Sequence, residues 1–360
     1  MSTSNPAMAR AQEFCAAYEL RIPILMAPMA GACPASLAIA VGNAGGMGGC
    51  GTLLMQPDAI NAWVSEVRAA TNGAFQLNIW IPDPAPARNV EHEAAVRTFL
   101  ADWGPDVLAE AVDRAPPDFA AQCEAMLAAG PHVISSIMGL YPPDFVARMR
   151  ARRIKWFATV TTVAEAVAAE AAGADVVVAQ GMEAGGHRGA FNAADADTAM
   201  VGLFSLLPAV VDAVDVPVVA TGGIADARGV AAAFILGASA VQIGTGLLRA
   251  PEAKIADAWA DAIGRSRPED TIGTRAYSGR LGRSIRTSYA VAAASADAPD
   301  PTPYPIQRNL TQAMRDAATI AGDIDRMQAW AGQSAGLARA APANEIVVAL
   351  WEGAQEMLKR

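Results

Sequence analysis

Short apolar runs, each closed by glycine or proline or leading into a polar turn, recur along the chain. They are Pro23–Met29 (PILMAPM), Gly45–Gly51 (GGMGGCG), Phe75–Trp80 (FQLNIW), His132–Gly139 (HVISSIMG), Lys155–Val160 (KWFATV), Asp175–Gly181 (DVVVAQG), Pro217–Gly223 (PVVATGG) and Ala240–Gly246 (AVQIGTG). Continuous rather than alternating hydrophobicity is the pattern of parallel strands buried on both faces. Eight such runs are what a closed (β/α)8 barrel requires.

Helical patterns lie between the runs. Pro34–Ala44 opens on proline and is followed by glycines. Pro57–Ala70 carries Asp58 and Glu66 on a polar face. Thr162–Ala172 has Glu165 three residues after Thr162, the spacing of a capping box. Asp226–Leu236 begins at an acidic cap and stops at Gly237. Strand, helix, Gly-Ala-Asp or Gly-Ala-Ser, strand occurs at Gly173 and again at Gly237, which is the βαβ rhythm. The expected fold is α/β: a (β/α)8 TIM barrel with an additional, mostly helical cap domain.

Two segments break the rhythm. Residues 82–129 exceed one helix and open with the Pro-rich PDPAPARN, leaving from the end of the third run, the face on which barrel active sites lie. After Leu248 no further barrel strand is expected. Helical patterns over Pro251–Ile263, Gln307–Ala321 and Asp323–Ala331 alternate with Arg-rich loops, and Ala343–Leu358 shows an apolar stripe of Ile346, Val347, Leu350, Trp351 and Met357. The expected division is a barrel over 1–248 with 82–129 as an excursion, a helical cap over 249–335, and a C-terminal helical segment, 336–360, packing back on the barrel.

Composition narrows the function classes. The chain has 360 residues, 53% hydrophobic and 18% charged, enough to bury a sizeable core. Its net charge of −9, with no basic block, argues against nucleic acid and anionic membranes. The charge-free stretches Ile22–Pro57 and Val230–Leu248 are interrupted by glycines and read as buried barrel elements rather than membrane spans. The four cysteines form no C-x-x-C, and with three histidines a zinc site is not expected. The N-terminus lacks a signal pattern, so a reduced, cytoplasmic protein is expected. The picture leaves room for a homo-oligomer.

Candidate chemistry gathers at the ends of the runs. Gly46–Gly51 matches G-x-G-x-x-G, but a helix precedes it where a dinucleotide fingerprint needs a strand. It reads instead as a glycine-rich strand that a loop or flat ligand approaches closely. Thr221-Gly222-Gly223 ends one strand before a helix, and Gln242-Ile243-Gly244-Thr245-Gly246 ends the next. These are the seventh and eighth runs, where such barrels hold phosphate; the alternative is two tight turns without a ligand. His187 lies between glycines and beside Arg188 after the sixth run, placed for proton transfer. His92 and His132 read as a surface and a strand-opening residue. Asn78, an amide inside an apolar strand, needs a partner, which ligand or backbone could supply. The arginines Arg280, Arg283 and Arg286 recur at spacing three and read as a solvated basic face, with an anion-binding rim as the other reading.

In this order, PILMAPMAG, GNAGGMGGCG, QLNIW, AQGMEAGGHRG, VVATGGIAD, VQIGTGLL, SGRLGRSI and YPIQRNLTQAMR resemble the nitronate monooxygenases, formerly called 2-nitropropane dioxygenases. The likeness runs from about Pro23 to Gln333, and its specific element is EAGGHRG together with the two glycine turns. The resemblance implies a barrel that binds FMN non-covalently. It implies that Met26, Ala27 and Pro28 lie against the flavin ring and that Asn78 and Gln180 hydrogen-bond the cofactor. Gly185, Gly186, Gly222 and Gly223 would line its path, with Gln242, Gly244 and Thr245 holding its phosphate. His187 matches the catalytic histidine, while Arg280, Arg283 and Gln333 are candidates for substrate contact.

The implied reaction is oxidation of alkyl nitronates (propionate-3-nitronate and nitroalkanes among them) with O2, through a flavin semiquinone, to a carbonyl compound and nitrite, with no metal. His187 would deprotonate a neutral nitroalkane or orient the nitro group. An NAD(P)H-dependent FMN reductase acting on an enoyl thioester or quinone shares these motifs. A flavin-free, phosphate-binding barrel isomerase or lyase and a non-catalytic carrier are the more distant alternatives.

Overall fold

The computed structural model describes residues 5–359. In chain order the strands are β1 (Ile24–Met26), β2 (Gly48–Gly51), β3 (Phe75–Trp80), β4 (Val133–Ile137), β5 (Lys155–Val160), β6 (Val176–Gln180), β7 (Gly186–His187), β8 (Val218–Thr221), β9 (Ala240–Ile243), β10 (Thr271–Thr274) and β11 (Gly282–Ile285). All eight apolar runs form strands of one parallel sheet, ordered β1-β9-β8-β6-β5-β4-β3-β2. A bridge between Leu25 and Met47, with Met26 N donating to Met47 O at 2.8 Å, joins its two ends. The sheet is thus closed into a barrel.

The glycines of β2 explain the closure. A Cβ on Gly46 would lie 2.5 Å from Ile24 O, and one on Gly49 would lie 2.5 Å from Met26 O. One on Gly51 would lie 2.7 Å from Ala30 N. β2 can therefore sit against β1 and its following loop only because it carries no side chain there. The G-x-G-x-x-G spelling serves backbone contact between strands, and Thr52–Gln56 intervene before the helix Pro57–Ala70.

The barrel interior is apolar at one end and polar at the other. Leu25, Met47, Val133, Phe157, Val176, Val178 and Val219 fill the N-terminal half. The helix Pro6–Ala17, which the sequence pattern did not announce, adds Phe14 and Tyr18 beneath them. Tyr18 meets Phe157 edge to face at 5.0 Å. Above this plug runs a buried belt of hydrogen bonds. Gln76 donates to Met26 O and to Gln242 Oε1, Ser135 donates to Gln76 Oε1, and Asn78 donates to Ser135 Oγ. With the lower end closed, the open end is the one that carries the C-terminal strand ends.

The barrel helices match the pattern with one difference in chemistry. Thr162 caps Val163–Ala171 by accepting from Glu165 N, and Asp226 caps Ala227–Ile235 by accepting from Gly229 N. Glu165 does not complete a reciprocal box with Thr162. Its carboxylate accepts instead from Thr161 N, Thr161 Oγ1 and Phe191 N, tying the loop after β6 to the end of β5. Ala343–Leu358 is helical as expected and packs into the outer barrel core, but Met357 is exposed and Leu358 takes its place in the stripe.

The segments that broke the rhythm meet each other. The helix Val90–Leu100 and Val112 share one apolar cluster with Tyr277, Tyr289, Ile306, Leu310 and Met314. The helix Phe119–Ala129 belongs instead to the barrel's outer layer, with Cys123 and Met126 in its core. The second half is less helical than its pattern suggested. β10, β11 and β7 form an antiparallel sheet; of residues 323–331, expected as helix, 324–327 form turns and 329–331 run along β11. Ile285 N donates to Ala329 O and Ala331 N to Arg283 O, so pairing with an open strand edge outweighs a short helical pattern. The pattern over 307–321 breaks at Thr311, whose hydroxyl bonds Tyr277 O and Arg308 O.

Candidate active site

A cavity of about 450 Å³ opens above the polar belt, between the C-terminal strand ends and the second half of the chain. Ala27, Pro28, Asn78, Gln180, Gly185, Gly186, His187, Gly222, Gly223, Gln242, Gly244 and Thr245 all line it. Residues more than 200 positions apart in sequence are thus brought to one wall. Met26 is fully buried beneath it and reaches the belt through its carbonyl.

One end of the cavity is built to take an anion. Gly222 and Gly223 have φ of +108° and +68°, values that turn successive N–H groups to one side. Among the described residues no backbone carbonyl accepts from the N–H groups of Gly222, Gly223, Thr245 or Gly246. Unpaired donors at two adjacent turns are a concave arrangement, or nest, able to receive an anion. The following helix contributes less than its position suggested, because the Asp226 carboxylate already occupies its N-terminus. Beside the nest, the amides of Gln242 and Asn78 are each held at one end, by Gln76 and Ser135, and line the cavity with the other. A heterocycle with both donors and acceptors fits that edge.

Gln180 plays a different part. Its Nε2 donates to His187 O and its Oε1 accepts from Gly189 N, so both ends of the amide hold the histidine loop. Arg188 holds the same loop from below. It is buried, and its guanidinium bonds the carbonyls of Gln180, Thr161 and Ala199. β7 then docks His187 against Gly282 of β11.

His187 lines the same cavity from within an aromatic box. Its ring meets Trp80 at 4.5 Å and Trp330 at 4.8 Å, and Nε2 lies 2.7 Å from Ser278 Oγ. Burial, then the positive charges of Arg280, Arg308 and Arg315, push its pKa down to about 3. The imidazole is therefore neutral through the physiological range.

The arginine motif is distributed differently from expectation. Arg280 is neither a solvated face nor a cavity rim: it is buried and paired through both Nε and NH2 with Asp83, from the Pro-rich excursion. Arg283 donates to Met182 O and Thr271 Oγ1, outside the main cavity. Gln333 is held by its backbone N–H on Glu183 O and does not line the cavity. The arginines that do line it are Arg308 and Arg315. Arg315 is buried, with a pKa lowered to about 10 mainly by burial, and donates to Thr311, Gln328, Gln312 and Arg308 O, all neutral. Arg308 donates to Gln312 Oε1 alone. Among the described residues neither forms an ion pair, so the two guanidinium groups face a single carboxylate, Asp316, on this wall and the balance is positive.

Sequence reasoning missed Trp80, Ser278, Arg308, Arg315 and Trp330. Ser278 opens the SGRLGRSI stretch and Arg308 lies in YPIQRNL, neither residue given a role there, and Trp80 ends the FQLNIW run. Arg315 closes the YPIQRNLTQAMR stretch, also without a role, and Trp330 carried no local signal. Among the described residues no group of three or more His, Cys, Asp or Glu is poised to hold a metal, and no helix is long and apolar enough to cross a membrane.

Comparison with known proteins agrees with this geometry. Residues 13–353 match the family model for nitronate monooxygenase. A probable nitronate monooxygenase of Staphylococcus aureus (strain Newman) is 35% identical over 333 residues, covering 91% of this chain and 93% of the relative. Among solved structures, nitroalkane oxidase from Streptomyces ansochromogenes superposes with a TM-score of 0.85 at 33% identity, over 95% of this chain and 98% of its own. FabK from Thermotoga maritima superposes with a TM-score of 0.76 at 29% identity, over 96% and 97%.

Proposed function

The chain belongs to the nitronate monooxygenase family and is an oxidoreductase, and from that premise we propose that it binds FMN in the cavity and oxidises alkyl nitronates with O2 to a carbonyl compound and nitrite. The observation that carries this reading is the pairing, in one cavity, of a set of backbone N–H groups that no carbonyl engages with a neutral histidine. A phosphate-bearing cofactor fits the first and a reacting anion fits the second. Gly222, Gly223, Thr245 and Gly246 would hold the FMN phosphate, and Asn78 and Gln242 the ring edge. Bound there, the flavin would supply the electron transfer and the reaction with O2.

The chain's own residues would receive and orient the nitronate. Arg308 and Arg315, against the single carboxylate of Asp316, would leave the cavity lining net positive and draw an anion in from water. Their position favours nitronates with a second acidic group, such as propionate-3-nitronate. His187, with a pKa near 3, is a weak base, and a weak base gains little driving force for taking a proton from carbon. Its part is to hydrogen-bond the nitro group, with Ser278 and the indoles of Trp80 and Trp330 fixing the ring plane.

The test is nitrite release under air from a nitronate and from the neutral nitroalkane of the same skeleton at pH 7. The reading expects kcat/KM for the nitronate to be higher by about two orders of magnitude, the gap that positioned proton transfer would otherwise close. Equal values would make His187 a carbon base, as the likeness to a protein named nitroalkane oxidase would favour.

A further inference from the structure

The segment Trp330–Ser334 lines the cavity beside the two glycine turns as a strap pinned to three separate loops. Gly332 N donates to Thr245 Oγ1 at 3.0 Å, on the loop after β9. Gln333 N donates to Glu183 O at 2.9 Å, on the loop after β6. Ser334 Oγ donates to Gly223 O at 2.6 Å, on the loop after β8. The contact is backbone on backbone: a Cβ on Gly185 would lie 2.5 Å from Gly332 N, and one on Gly332 would lie 2.7 Å from Glu183 O. Glycine on both sides is what lets the strap lie down. Its start is anchored in the cap sheet, where Ala331 N donates to Arg283 O and the Trp330 carbonyl accepts from Trp259 Nε1.

We propose that this strap is the gate of the cofactor site: FMN exchanges only when the three bonds to the loops after β6, β8 and β9 open together. The proposal rests on the FMN reading above. The two loops whose free N–H groups would hold the phosphate are the same loops that the strap spans through Thr245 and Gly223. Gly332 and Ser334 line the cavity together with Gly222, Gly223 and Thr245, so a phosphate on those turns would share a wall with the strap. A gate differs from a contact in its kinetics. Loosening a gate speeds binding and release alike, whereas losing a contact speeds release only.

The experiment measures both rates by flavin fluorescence. Release is followed from the FMN-loaded protein into excess flavin-scavenging protein, and binding from FMN mixed with protein stripped of it. Ser334→Ala removes one of the three bonds and should raise both rates about fivefold, with Kd moving by less than either. Ser334→Thr keeps the hydroxyl and should return both to the wild-type values. Faster release with unchanged binding would make Ser334 an ordinary contact and overturn the gate. Unchanged rates in Ser334→Ala would overturn it as well. Failure of the wild-type protein to bind FMN would instead overturn the cofactor reading along with the gate.

Discussion

Replacing His187 by glutamine should remove a specific part of the protein's acid sensitivity. Histidine in the unfolded chain protonates near pH 6.5, whereas in the folded chain His187 stays neutral until about pH 3. Between those values the unfolded state binds the extra proton, so stability falls as pH falls through the window and levels off below it. The slope is about 1.4 kcal/mol per pH unit, and from pH 7 to pH 5 the loss amounts to about 2 kcal/mol. Its cause is desolvation in the Trp80–Trp330 box together with Arg280, Arg308 and Arg315. The assay is urea unfolding of wild type and His187→Gln at both pH values, with the same flavin loading. His132, also lowered by burial, contributes equally to both proteins and cancels in the difference. Wild type should lose about 2 kcal/mol more than the variant. Parallel losses would refute the desolvated, cation-facing histidine.

Other changes probe other parts of the site. Gly222→Asp or Thr245→Glu places a carboxylate at the nest and should leave the purified protein colourless; retained flavin absorbance in both would refute the phosphate assignment. Arg308→Met should raise KM for an acid-bearing nitronate about tenfold or more while changing KM for a neutral-tailed one less, because one charge-assisted bond of roughly 1.5–3 kcal/mol is lost; equal changes would remove the acid-recognition role. Asp83→Ala strands the buried Arg280 guanidinium and should destabilise the fold by about 3 kcal/mol in urea unfolding. A change under 1 kcal/mol would mean that water reaches the pair.

The barrel was legible because each of its strands is buried on both faces. DVVVAQG and PVVATGG then read as continuous apolar runs, and each is followed by the turn that forms the cavity wall. The glycine turns and His187 were legible for the same reason: they sit at fixed places on that frame. The second half was not, because its structure comes from distant partners. Arg280 looks like one of a solvated series until Asp83, 197 residues earlier, meets it. β7 is two residues long and exists only because β11 lies beside it. Residues 323–331 carry a helical pattern, but the segment turns at 324–327 and its end, 329–331, pairs with a strand edge, and no local signal distinguishes the two outcomes. Arg315 and Trp330 reach the cavity through that same folding of the cap.

The central claim is that the cavity holds a flavin which a nitronate reduces unaided. The most direct test mixes FMN-loaded protein with propionate-3-nitronate under nitrogen in a stopped-flow spectrophotometer, and separately with NADH and NADPH. Loss of oxidised flavin absorbance with the nitronate alone, at least as fast as aerobic turnover, is the predicted result. Rapid bleaching by a nicotinamide with the nitronate inert would contradict it and assign the site to an NAD(P)H-dependent reductase.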